Sequence, residues 1–153
     1  MSAVLQPLPS IEQMTEDDLG DVLEIERQIY DFPWTVGNFA DSLRSGYYCV
    51  VLRMGNRLIG YAVMMLGAGE AHLLNLSIAA SEQRRGHGSR LLQSMVGACR
   101  NCGARQLFLE VRPTNTAGRL MYAKHGFSQI AVRRGYYPSR TGREDALLLA
   151  LDL

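Results

Sequence analysis

The 153-residue sequence is poor in lysine, proline and cysteine, and each scarcity narrows what the chain can be. Lys124 is the only lysine, so the Gly-Lys-Ser/Thr signature of a Walker A phosphate loop is absent. A G-x-G-x-x-G fingerprint in an early β-α unit is also missing, which excludes the usual dinucleotide fold. Five prolines, with no low-complexity block and no repeat of solenoid period, exclude disordered and repeat architectures. Three cysteines leave one unpaired in any disulfide scheme, which points to a reducing compartment. Met1–Ser10 has neither a basic leader nor an apolar run long enough for a signal peptide or membrane span, so a cytoplasmic protein with no membrane partner is expected. No second cysteine pair supports Cys99 and Cys102, and the three histidines lack ligand spacing, so no metal is expected. Cys99-Arg100-Asn101-Cys102 falls at the C-terminal end of its helix, where the dipole raises a thiol pKa, and both cysteines read as packing residues.

What remains is an ordinary globular composition, 47% apolar and 20% charged, long enough for one domain spanning residues 1–153. The net charge of +1 hides an asymmetry. Residues 1–80 carry four arginines against ten acids; residues 81–153 carry eleven arginines and one lysine against five acids. This could be scattered solvated charge, or a basic half facing an anionic cofactor and an acidic half facing a cationic substrate. The basic half has no interleaved aromatic motif of the RNP type, so no direct nucleic-acid partner is expected.

Ser10–Met14 reads as a first strand. Thr15 with Asp18 reads as a capping box before a helix carrying Leu19, Val22, Leu23 and Ile29 at helical spacing. Glu26 lies on the apolar side of that stripe, either at its edge or lining a pocket. Pro33 stops the helix. Phe32-Pro33-Trp34 holds the only tryptophan, which serves either as a plug between helices or as a wall of a cleft. Thr35 caps a short second helix ending near Gly46. Tyr47–Arg53, Arg57–Leu66 and Ala71–Ile78 form a meander, with a hairpin turn at Met54-Gly55-Asn56. A helix over Ser89–Asn101 then requires Gln106–Val111 to lie parallel to Ala71–Ile78. A helix over Thr116–His125 follows, then strands at Phe127–Arg134 and Glu144–Leu151 around a loop from Tyr136 to Gly142. The class is α/β, with a mixed, mostly antiparallel sheet of six to seven strands and about four helices.

Between strand and helix sits Gln83-Arg84-Arg85-Gly86-His87-Gly88. Unpaired N–H groups and the positive end of the helix dipole meet there, which suits an anion. Gly86 and Gly88 allow positive φ and close approach of a pyrophosphate, and Arg84, Arg85 and Arg90 add charge.

The Q-x-x-G-x-G pattern resembles the acetyl-CoA-binding motif of the Gcn5-related N-acetyltransferase (GNAT) superfamily. Taken with Phe32-Pro33-Trp34, Leu74–Ile78, Leu109–Arg112, Asn115, Met121-Tyr122, Gly126-Phe127 and Arg133–Asp145, the chain resembles the bacterial RimI family. Those enzymes acetylate the alanine N-terminus of ribosomal small-subunit protein eighteen. The resemblance covers nearly the whole chain. It implies a single-domain acetyltransferase fold, acetyl-CoA as co-substrate and a ribosomal-protein N-terminus as partner. It places acetyl-CoA against Leu76, Ser77, Ile78, Arg84, Arg85, Gly86, His87, Gly88, Ser89 and Asn115.

By the same resemblance Glu110 is the general base and Tyr122 hands a proton to the departing thiolate. On spacing alone Tyr122 could equally be a core-edge tyrosine, and Glu110 could sit in an ion pair with Arg112. A carboxylate in a partly dry cleft is expected to have a raised pKa. On the second of the two helices, Ala117, Leu120 and Met121 read as core-facing. Asn115, Gly118 and Tyr122 share another face, where the glycine leaves room for a ligand arm. Trp34, Glu26 and Tyr137 are the candidates for contact with a basic peptide. Two other activities fit the same residues: a broader N-terminal or lysine acetyltransferase, and a CoA-binding module without turnover.

Overall fold

The computed structural model describes residues 8–153, so the expectation about the first residues lies largely outside it. Strand β1 (Ser10–Gln13) leads through a 3₁₀ turn (Glu16–Asp18) into α1 (Leu19–Ile29). The Asp18 carboxylate accepts from the Thr15 N–H at 2.8 Å, the reciprocal bond of the expected capping box. Helix α2 (Val36–Arg44) starts on a second box in which Thr35 Oγ1 accepts from the Asn38 N–H at 3.2 Å. The meander β2 (Tyr48–Met54), β3 (Arg57–Leu66) and β4 (Glu70–Ile78) follows. Then come α3 (His87–Asn101), β5 (Gln106–Val111), α4 (Thr116–Lys124), β6 (Ser128–Ser139) and β7 (Gly142–Asp152).

The seven strands form one sheet in the order β1-β2-β3-β4-β5-β7-β6. Every neighbouring pair is antiparallel except β4 and β5, which are parallel, as the α3 crossover requires. No helix among the described residues is long and apolar enough to cross a membrane.

The inner strands are buried on both faces, so they read as continuous apolar runs. One face of β2 and β3 (Val50, Leu52, Ala62, Met64) packs with Leu91, Leu92, Met95 and Cys99 of α3. The other face (Val51, Tyr61, Val63) packs with Val22, Leu23 and Ile25 of α1 and Phe39 of α2. Cys99 packs its sulfur 3.3 Å from the Met64 sulfur, and burial pushes its thiol up to about 11, as expected of a packing cysteine.

The last hairpin departs from expectation. The segment from Tyr136 toward Gly142 is not a loop: β6 runs through Tyr136, Tyr137 and Pro138, leaving only Arg140-Thr141 at the turn. Pro138 is tolerated because β6 is an edge strand. A register shift between Arg133 and Tyr137 contains Gly135.

Gly60 of β3 lies opposite Ile78 of β4. A Cβ there would fall 2.7 Å from Ile78 Cδ1 and 2.8 Å from the Ser77 carbonyl oxygen. Overpacking of this kind costs about 1–3 kcal/mol. Gly60→Ala is therefore expected to lower the urea-unfolding free energy by that amount; an unchanged midpoint would show that β4 yields freely at this point.

Candidate active site

The parallel pair β4–β5 stops early. Its register runs from Glu70 opposite Gln106 to Leu73 opposite Leu109, and no further. Leu74 has no partner on β3, because Met64 faces Leu73 and Val63 faces Asn75. This β-bulge bends β4 away from β5. Beyond it β4 is paired only with β3, while Glu110 and Val111 are paired only with β7. A gap opens between the two arms.

The Ala79 N–H donates to the Ile59 carbonyl at 2.8 Å, which fixes the alternation along this end of β4. Residues 75, 77 and 79 turn their backbone groups toward β3, so the N–H groups of Leu76 and Ile78 point into the gap. The Ile78 carbonyl is taken by Gln83 Nε2 at 3.0 Å, which ties the following loop to the strand. Ser77 is placed differently: its backbone faces β3, and its buried side chain joins a polar network on the α1 side.

Two residues of the loop adopt left-handed backbone, Arg84 (φ 64°) and Gly86 (φ 83°). The second lets α3 begin at His87, two residues earlier than the sequence suggests, so His87, Gly88 and Ser89 form the helix's first turn with its free N–H groups. Arg84, Arg85 and Arg90 are exposed around it. Gly88 does not need positive φ. A Cβ there would lie 3.2 Å from Met121 Sδ, so the missing side chain lets α4 approach. Beneath the loop lies a buried carboxylate that sequence reasoning missed. Glu82 pairs with Arg57 and has Arg85 at 3.8 Å and His87 Nε2 at 3.6 Å.

Glu110 is on the far arm, its side chain 10% exposed. Its partner is not Arg112 but His72, whose Nε2 lies 2.5 Å from Glu110 Oε2, with Arg133 Nε 3.5 Å from Oε1. Arg112 instead binds Glu144 at 3.0 Å and the Pro138 carbonyl at 2.9 Å. The expected rise in the Glu110 pKa is reversed. Burial does push it up, but the His72 imidazole and then the Arg133 guanidinium outweigh burial and hold it below the usual carboxylate value.

Tyr122 is 8% exposed and packs edge-on against Phe127, ring centroids 5.5 Å apart. Burial raises its hydroxyl pKa well above the ordinary phenol value, and the nearby phenols of Tyr30 and Tyr137 add to the rise. Two of the three residues of α4 expected to face the core do not: Leu120 is 67% exposed, and Ala117 is exposed as well. Met121 and Tyr122 face inward, with Gly118 and His125 on the same side. Spacing separates the stripes of a short helix but does not say which one meets the core. Asn115 is the N-cap, its Oδ1 accepting from the Gly118 N–H at 3.0 Å. A Cβ on Gly118 would meet that side chain at 2.6–2.9 Å, so this glycine makes room for the cap rather than for a ligand arm.

Glu26 lies in the core rather than at the edge of its stripe, 2% exposed. It accepts from Tyr61 Oη at 2.9 Å, Asn75 Nδ2 at 3.0 Å and the Trp34 N–H at 3.0 Å. Ser77 Oγ donates to Asn75 Oδ1 and sits 2.6 Å from Tyr30 Oη. Burial, partly offset by Ser77 and reinforced by Glu26, pushes the Tyr30 hydroxyl up to about 12. Trp34 stacks at a tilt on buried Phe39, 5.0 Å between centroids. The more exposed Phe32, the other aromatic of the Phe32–Trp34 segment, lies 5.9 Å from the Arg112 guanidinium, which also covers Tyr137 at 4.3 Å. Burial and then Glu110 raise the Tyr137 hydroxyl pKa. Arg140 at the hairpin turn bonds Asp31 at 2.6 Å, so the α1–α2 connection and the β6–β7 hairpin meet across the mouth of the gap.

Residues 8–127 match the acetyltransferase (GNAT) family. The [ribosomal protein bS18]-alanine N-acetyltransferase of Escherichia coli is 32% identical over 144 residues, covering 94% of this chain and 97% of that protein. The Haemophilus influenzae protein of the same name is 34% identical over 141 residues, covering 92% and 96%. A crystal structure of the E. coli ribosomal-protein-S18-alanine N-acetyltransferase superposes with a TM-score of 0.89, covering 95% of this chain and 94% of that one.

The lowered pKa of Glu110 has a consequence for stability. The carboxylate stabilises the fold above its unfolded-state value of about 4.3, and that contribution is lost as pH falls through the lower folded-state value. Urea unfolding should find wild type more stable than Glu110→Gln near neutrality, with the gap closing on acidification. A gap independent of pH would mean that His72 and Arg133 do not act on the carboxylate.

Proposed function

This chain belongs to the acetyltransferase (GNAT) family, and on that premise we propose that it transfers the acetyl group of acetyl-CoA to an N-terminal alanine. The acceptor is ribosomal small-subunit protein eighteen, in the cytoplasm. The observation that carries this reading is the parted β4–β5 pair, which turns the amides of Leu76 and Ile78 toward the same gap that Glu110 borders. The relatives' named activity supports the choice of acceptor over an internal lysine.

Acetyl-CoA supplies the activated acyl group. The amides of the loop and of the first turn of α3 (residues 84–89) receive its pyrophosphate, with Arg84 and Arg85 as counter-charges and Ser89 beside them. Asn115, at the head of α4, flanks the arm. Leu76 and Ile78 offer N–H groups to the carbonyl oxygen as charge develops on it. The peptide enters between Phe32–Trp34 and Tyr137. Glu26 orders that wall through the Trp34 N–H. An α-ammonium has a pKa of about 7.7–8.0 and must lose its proton before it can attack; Glu110 takes that proton, directly or through water. Tyr122 stays protonated at neutral pH and offers its hydrogen to the leaving sulfur.

Incubation with acetyl-CoA and ribosomal proteins, followed by mass spectrometry, should place a single acetyl group on the alanine N-terminus of protein eighteen. Acetylation confined to internal lysines would overturn the acceptor, and acetyl-CoA binding without thiol release across a peptide panel would overturn turnover altogether.

Glu110→Gln should lower kcat by about 10²–10⁴ with acetyl-CoA affinity intact. Tyr122→Phe should produce a smaller loss, also at unchanged affinity. Near-normal steady-state turnover in Glu110→Gln would remove that residue from the chemistry.

A further inference from the structure

His72 plays no part in the steps above, yet it makes the shortest contact to the residue that takes the proton, 2.5 Å from Nε2 to Glu110 Oε2. We propose that His72 is a positioning residue for the acyl transfer, holding the Glu110 carboxylate at the gap and sharing the proton that it collects. The inference rests on the acetyltransferase reading and names the partner through which its base works.

The register puts His72 beside the gap but not in it. His72 lies opposite Phe108 in the parallel ladder, before the bulge at Leu74, and Glu110 is two residues further toward the opening. The period of a strand turns Phe108 and Glu110 to one face, and His72 reaches the carboxylate from that side. It therefore acts through Glu110 and touches no substrate.

The charged and titratable neighbours are few. From β6 come Arg133, 3.5 Å from the other carboxylate oxygen, and Tyr137, whose hydroxyl pKa Glu110 raises. The β7 residues opposite, Leu148 and Ala150, and Met65 of β3 opposite His72 carry no charge.

This arrangement answers a chemical difficulty. A carboxylate whose proton affinity is lowered by its imidazole and guanidinium neighbours is a poor resting place for a proton from an α-ammonium. A second fixed cation would make it poorer. An imidazole differs from a fixed cation in that its ring nitrogens can both accept and release a proton, so the pair as a whole can take one up. In the reaction the ammonium first gives one proton to the Glu110–His72 pair, the N–C bond then forms as the C–S electron pair leaves with sulfur, and the second proton lost by nitrogen replaces the one that Tyr122 gives to the thiolate. His72, its side chain 30% exposed, returns the first proton to water.

The test compares wild type with His72→Gln on acetyl-CoA and an alanine-initiated peptide, across pH. His72→Gln keeps a side-chain donor but cannot titrate. Expected are a loss in kcat of about tenfold, a displaced acid limb of the kcat profile, and an acetyl-CoA KM within about twofold of wild type. A purely structural histidine would lower the melting temperature and leave the limb in place, and that result overturns the proposal. Independently of turnover, NMR titration of the His72 imidazole in wild type and in Glu110→Gln should show its midpoint moving to lower pH once the carboxylate is gone. Coincident midpoints would also overturn it. Were the protein to turn over a different amine, the alanine assignment alone would fall, and the same comparison on that amine would still decide the role of His72.

Discussion

The site depends on one constraint: a parallel strand pair that stops pairing in the middle of a sheet. Backbone groups released in this way are expensive when buried unless something else receives them. Here the bulge at Leu74 turns β4 away after Leu73, freeing the amides of Leu76 and Ile78 and the end of β5 that carries Glu110. Gln83 takes the Ile78 carbonyl and in doing so fixes where the anion loop begins. The rest of the gap's backbone stays open to a ligand.

A gap of this kind must be kept from closing, and the Glu26 network does that on the β4 arm. One carboxylate from α1 receives donors from β3, from β4 and from the α1–α2 connection, so the strand arm and the Trp34 segment hang on the same acceptor. Removing the acceptor would strand three donors, of which Tyr61 Oη is deeply buried, each at about 1–3 kcal/mol. On the opposite side of the sheet α3 and α4 meet where Gly88 lets Met121 approach, next in sequence to the buried Tyr122. The two helical layers therefore fix the two arms separately.

Much of this was legible in the sequence, and the reasons for the rest are physical. Hydrophobic period and turn chemistry gave the meander, the α3 crossover, the capping box at Thr15 and the cap at Thr35, because those signals are local. The bulge at Leu74 is not local; it exists only through the mismatch of Met64 and Val63 with their partners on β4. The His72–Glu110 contact was hidden for the same reason, since it joins residues 38 apart through a parallel register. Ala117 and Leu120 of α4 turned outward against expectation because a short helix offers two stripes, and its packing partners choose between them. Tyr136–Pro138 read as a loop because its tyrosines and proline look like a turn away from their edge-strand setting.

The charge asymmetry of the sequence resolves along the same lines. A basic half facing an anion and an acidic half facing a cation would need those charges free, and many are not. Arg133 attends Glu110, Arg112 attends Glu144, and Arg140 attends Asp31. Among the acids, Asp18 pairs with Arg53 and Glu82 with Arg57. What remains around the anion loop is local, the exposed Arg84, Arg85 and Arg90. The Glu82 carboxylate buried below them sets how much positive charge the loop presents. The arginines of the last hairpin attend acids instead, and Arg133 joins His72 in lowering the proton affinity of Glu110. His72 is the side chain nearest that carboxylate, and the proposed sharing of the proton runs through this contact.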